Sequence, residues 1–92
     1  MLPKLRDAEY RGGFRVWVLF ADGVEGEVDL YGELWGEMFE PLRDATVFSR
    51  LRFDKTLGTI IWENGADFAP EFLYQQLRPG YSLDQGPETG AA

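Results

Sequence analysis

The sequence contains no histidine and no cysteine, and these two absences remove whole classes of function. Histidine is the usual general base near neutral pH, cysteine is the commonest thiol nucleophile, and together they supply most zinc ligands. Ser-His-Asp and Cys-His catalytic sites, zinc sites, haem ligation by either residue and disulfides are therefore excluded. Carboxylates, two lysines, two serines, tyrosines and the backbone remain for chemistry. We expect a protein that is not an enzyme and that has no catalytic residues, no metal ligands and no cofactor.

Basic residues are also few. Nine Lys and Arg stand against sixteen Asp and Glu, which gives a net charge of −7, and no three basic residues cluster. Because binding to phosphates depends on such clusters, nucleic acid and anionic membranes are disfavoured as partners. A basic protein partner suits this charge, and acidity that only keeps the protein soluble is the alternative.

Long hydrophobic runs are missing as well. No segment approaches the roughly 20 apolar residues that span a bilayer. The first seven residues have no apolar stretch followed by a cleavage site, so a signal peptide is not expected. We predict a cytoplasmic protein that binds no membrane.

Two runs of alternating apolar residues, over 14–20 and 24–30, predict a β-hairpin. A three-residue loop over 21–23 pairs Phe20 with Val24, sets Arg15 opposite Asp29 and makes one face apolar throughout. A two-residue turn would instead place carboxylates on that face. We therefore predict the three-residue loop, with a positive φ at Gly23. A short strand over 3–11 precedes the hairpin.

The remainder of the chain predicts short elements. Residues 34–39 fit a helical turn closed by Glu40-Pro41, and Asp44 is expected to cap a helix over about 45–50. Residues 51–54 and 59–62 predict a second hairpin. Residues 68–77 predict a helix with Pro70 in its first turn and with the inward positions Phe72, Leu73, Gln76 and Leu77.

These elements predict an α+β fold. About five antiparallel strands in β-hairpins are expected to pack with two or three short helices, as a single compact domain over residues 1–78. From residue 79 onward Pro, Gly and polar residues dominate, so residues 79–92 are predicted to form a disordered polar tail.

The candidate partner surface combines acidic and aromatic residues: Trp17, Glu25, Glu27, Asp29 and Trp35. The carboxylates lie on one strand face roughly 6.5–7 Å apart. That spacing is too wide for one metal ion, whose ligands converge within about 2.0–2.6 Å. We interpret them as a solvated outer face.

Two tryptophans on this candidate surface need a separate explanation. Trp17 lies on the charged face, where a second buried layer, a helix from the second half of the chain or a subunit contact would cover it. Trp35, Met38 and Phe39 are interpreted as core residues, and an exposed patch that binds a partner is the alternative.

A polar cluster is the candidate for chemistry: Asp54, Glu63, Asn64 and Asp67. Two neighbouring carboxylates can share a proton and act as acid and base. The favoured interpretation is turn formation, because Asp and Asn side chains bond to nearby backbone groups.

Three stretches together resemble a known family: FADGVEGEVDL at 20–30, FEPLRD at 39–44 and LGTIIWENGADFAPEFLY at 57–74. In this order and spacing they are similar to the small bacterial proteins called domain of unknown function 2442, over roughly residues 4–77. Glu63 stands where a proline is common in the family. Ala69 stands where an aspartate often precedes the proline, which removes the expected cap of the last helix.

The resemblance implies a compact α+β domain with antiparallel strands and no known catalytic residues. It also implies a gene that lies beside that of another small protein, a pair that has been proposed as a toxin–antitoxin module. Some members carry a C-terminal helix-turn-helix domain, whereas this chain ends in the polar tail, so a role in DNA binding is not implied.

The leading hypothesis is a non-enzymatic, acidic protein-binding module, an antitoxin-like partner of a small basic protein. Two alternatives stay open. One is an enzyme or a metal-dependent site built on carboxylates, and the other is a structural domain that associates with itself as a homo-oligomer.

Overall fold

The first three strands of the chain form one antiparallel sheet, with the second strand in the middle. A computed structural model describes residues 3–78, and the predicted tail at 79–92 lies outside them. The strand bounds are Leu5–Tyr10 for β1, Arg15–Phe20 for β2 and Glu25–Asp29 for β3. The predicted β2–β3 register is confirmed, because Arg15 pairs with Asp29. So is the three-residue loop, where Gly23 has a φ of +91°.

Strand alternation places the core on one face of this sheet. Five side chains of the hairpin and the residue after it are buried there: Val16, Val18, Phe20, Val28 and Leu30. Because successive side chains of a strand point to opposite faces, the residues between them lie on the outer face. Each large apolar side chain buried in this way contributes about 1.5–3 kcal/mol.

The segment after β3 departs from the prediction. It forms two 3₁₀ turns, Tyr31–Glu33 and Glu40–Arg43, rather than a helical turn over 34–39. Pro41 lies at the start of the second turn, after Glu40, instead of closing a helix, because the N–H groups of a helix's first residues have no partner within the helix. The helix α1, Ala45–Phe48, has the predicted cap, since Asp44 accepts a hydrogen bond from the Thr46 N–H at 2.9 Å, but it ends two residues earlier than predicted.

The second half adds a hairpin and a helix. Strands β4, Arg52–Asp54, and β5, Thr59–Ile61, pair as predicted. Helix α2 spans Pro70–Leu77 and so begins two residues later than expected. Leu73 and Tyr74 are its buried residues, whereas Gln76 is exposed, so the predicted inward position of Gln76 is wrong. The inward face of α2 is therefore spaced from Pro70, with Leu73 at i+3 and Tyr74 at i+4, and not from Phe72.

Aromatic rings join the two halves of the chain. Phe48 of α1 contacts Phe14 with ring centroids 5.3 Å apart, and Tyr74 of α2 meets Phe20 edge-on at 4.9 Å. Trp62 lies 5.4 Å from the Phe48 ring, and its Nε1–H donates to the Phe48 carbonyl at 2.9 Å. Both helices therefore pack on the core face of the three-stranded sheet, and the predicted α+β class is confirmed.

Among residues 3–78, no helix is long and apolar enough to cross a membrane.

Candidate binding surfaces

The outer face of β3 carries a row of carboxylates, Glu25, Glu27 and Asp29, which we call the acidic strip. All three residues are exposed, because the residues that alternate with them along β3 face the core. Within the described part of the chain, the strip has one ion pair, which joins Arg15 Nε to Glu27 Oε1 at 3.7 Å. An exposed pair at this distance neutralises one carboxylate weakly, so the strip keeps a negative potential.

Trp17 lies beside the acidic strip on β2 and is half-buried. Its Nε1–H donates to Glu25 Oε1 at 2.9 Å, and the Arg11 guanidinium lies 5.4 Å from the centre of its ring. Since α1 and α2 pack on the opposite face, the expected helix over Trp17 is absent from residues 3–78. Side chains of the sheet cover it instead.

Trp35 and Met38 lie on the surface, so their interpretation as core residues is wrong. Trp35 is 67% exposed and Met38 is 45% exposed. Phe39 is partly buried, as predicted, with its ring 4.9 Å from that of Phe68. Gly36, with a φ of +91°, reverses the chain between the two exposed residues. A glycine at that point was the sign in the sequence that a continuous helical face was interrupted.

A small cleft lies near Met38. It has a volume of about 190 Å³ and is lined by Leu42, Val47 and Trp62, with Arg50 and Glu63 among its polar residues. The cleft and Met38 share a neighbour in Asn64, whose Nδ2 donates to the Met38 carbonyl at 2.9 Å. Exposed apolar side chains next to an apolar cleft are typical of surfaces that contact other proteins.

The polar cluster of the second half is used in turns. Asp54 Oδ1 accepts from the Leu57 N–H at 2.9 Å, and Asn64 Oδ1 accepts from the Ala66 N–H at 3.0 Å. Glu63 and Asp67 are exposed. In the part of the chain that the structure describes, no three carboxylates lie close enough together to hold a metal ion.

One contact near the hairpin loop was not found from the sequence. The Tyr74 hydroxyl donates to Asp22 Oδ2 at 2.6 Å, across a separation of 52 residues. This bond, with a second from the Val24 N–H, lowers the pKa of the Asp22 carboxyl below its ordinary value. It fixes helix α2 to the loop from which β3 begins, and no local pattern marks such a long-range pair.

Comparison with known proteins gives one match. The model of a family described as "Protein of unknown function (DUF2442)" matches residues 5–79 and covers all three stretches on which the resemblance rests. No curated protein and no solved structure matches. The chain therefore belongs to the DUF2442 family.

Proposed function

We propose that this protein is a non-enzymatic binding module, an antitoxin-like partner that associates in the cytoplasm with a small basic protein. The observation that carries the proposal is the acidic strip, in which three exposed carboxylates alternate along β3 and, among residues 3–78, only Glu27 has an ion-pair partner. With a net charge of −7, the protein attracts a basic partner over long range and repels a second copy of itself.

The exposed apolar residues give the proposal a second element. Charged surfaces steer association and give specificity, whereas desolvated aromatic and methionine side chains supply much of the affinity. Trp35 and Met38 offer such side chains, and Glu37 between them keeps this surface acidic as well. A partner that bears both basic and apolar side chains fits the two surfaces.

The test measures binding to the product of the neighbouring gene at about 50 mM and about 500 mM salt. We expect association at low salt and its loss at high salt. In a triple variant of the acidic strip, E25Q/E27Q/D29N, affinity should fall at least about tenfold. The matched control, E33Q/E40Q/E71Q, has the same change in charge at three exposed carboxylates outside both the sheet and the cleft and should bind as the parent does.

Two results would contradict the proposal. One is the absence of association at low salt, and the other is an equal loss of affinity in both triple variants. The second result would show that only the overall charge matters.

A further inference from the structure

The outer edge of β3 has main-chain groups that pair with no other strand of residues 3–78. In the order β1-β2-β3, β3 has β2 as its one neighbour within residues 3–78. Val24 accepts from the Phe20 N–H at 2.8 Å, and Leu30 donates to the Phe14 carbonyl at 2.9 Å, so the even-numbered residues face β2. In an antiparallel pair the alternate residues then direct their N–H and C=O groups away from the partner strand. These residues are Glu25, Glu27 and Asp29.

The other edge of the sheet is less suited to pairing. The register of β1 against β2 shifts between Leu5 and Asp7, which interrupts the regular edge, and β1 also contacts β4. The pairing of β3 with β2 is regular over its whole length. An unpaired, regular edge is a template for an additional strand.

The charges on the edge decide which strand fits there. If β3 paired antiparallel with β3 of a second copy about Glu27, that residue would face itself and Glu25 would face Asp29. Like charges directly opposite each other destabilise a sheet, so a second copy is a poor occupant. A strand with Lys or Arg at every second position instead places a positive charge opposite each carboxylate of the acidic strip.

On the core face of the sheet, an added strand is favoured to carry apolar residues at the positions between its basic ones. Gly26 has no side chain, and Leu77 of α2 fills the space instead, since a Cβ added to Gly26 would lie 2.8 Å from Leu77 Cδ2. Leu77 is only half-buried and lies on the side to which these intervening residues would point.

We infer that β3 is a docking edge for an extended segment of the basic partner, in which basic and apolar residues alternate. The segment adds a fourth strand through the outward N–H and C=O groups of Glu25, Glu27 and Asp29, and its basic side chains meet the acidic strip. This inference rests on the proposed function, because it describes how the same surface would hold the same partner.

The test uses synthetic peptides with the intact protein. The alternating peptide KVKVKVKVK is compared with the block peptide KKKKKVVVV and with an alternating peptide N-methylated at the residues whose N–H faces β3. We expect the alternating peptide to bind in a salt-dependent way and both others to bind at least about tenfold more weakly. Hydrogen exchange at the Glu25, Glu27 and Asp29 amides should slow at least about tenfold on binding.

A pair of variants tests the same edge from the protein side. E27P removes an outward N–H and leaves the bonds to β2 in place, because proline is tolerated on an edge strand where its nitrogen faces solvent. E27Q removes the same charge and keeps the N–H. We expect E27P to bind the alternating peptide at least about tenfold more weakly than E27Q, with circular dichroism confirming that both are folded.

Equal affinity for the N-methylated and unmodified peptides would overturn the docking edge and leave the proposed function intact, because charge alone would then account for binding. No binding of the alternating peptide at low salt would also overturn the docking edge. The measurement with the neighbouring gene product then decides separately whether the proposed function stands.

Discussion

Replacement of Trp62 by phenylalanine should destabilise the protein strongly, because Trp62 is 3% exposed and lies between the rings of Phe48 and Phe68. The lost Nε1–H bond costs about 1 kcal/mol rather than more, because the Phe48 carbonyl keeps the Leu51 N–H as a second donor at 3.2 Å. A void of about 40 Å³ adds about 1 kcal/mol, and the lost apolar burial adds about 1 kcal/mol more. The expected loss is about 3 kcal/mol.

That loss is large for a chain of this size. A domain of 92 residues has a free energy of unfolding of about 5–14 kcal/mol. At about 4–8 °C per kcal/mol, W62F should lower the Tm by about 12–24 °C. Urea unfolding followed by far-ultraviolet circular dichroism measures the change in the free energy of unfolding without depending on tryptophan fluorescence.

W35F is the matched control, because it makes the same chemical change at a side chain that is 67% exposed. It should change the free energy of unfolding by no more than about 0.5 kcal/mol. If W35F destabilised the protein as much as W62F, Trp35 would be a core residue, and the apolar part of the proposed binding surface would be lost with it.

Three further predictions concern loops and caps, each checked by urea unfolding. Y74F should destabilise the protein at pH 7, because the lowered pKa of Asp22 contributes stability above the ordinary value of 3.8. This contribution is lost as the pH falls through the folded-state pKa, so the effect of Y74F should shrink as the pH is lowered below 3.8. An effect that does not change with pH would contradict this. G23A should cost about 1 kcal/mol, whereas G32A, also in open space but without a positive φ, should cost less. A69S should add about 1 kcal/mol, because the extended backbone at this N-cap position has no side-chain hydrogen bond, and an unchanged stability would contradict the missing cap.

The sequence was sufficient to predict features that depend on neighbours along the chain. The β2–β3 register followed from alternation, because a slip of β3 by one residue would have placed Glu25 and Glu27 on the apolar core face. The turn at Gly23 and the cap at Asp44 followed from residue types with strong local preferences. The acidic strip on the outer face followed from the same alternation.

Features that depend on distant contacts were not predicted. Trp35 and Met38 were assigned to the core because their spacing fits a helix, but Leu34 and Leu42 occupy the interior and Gly36 turns the chain between them. The inward face of α2 was placed one residue away, because its direction is set by packing against β3 rather than by its own pattern. The bond between Asp22 and Tyr74 has no local mark at all.

The position of α2 has a consequence for how the chain folds during synthesis. The β2–β3 hairpin is complete once residue 30 has left the ribosome, but the ring that meets Phe20 belongs to Tyr74 and the side chain that fills the space at Gly26 belongs to Leu77. For more than forty residues of elongation the apolar face of the hairpin therefore lacks this cover. We expect the nascent chain to be prone to aggregation during that interval, until helix α2 covers this face.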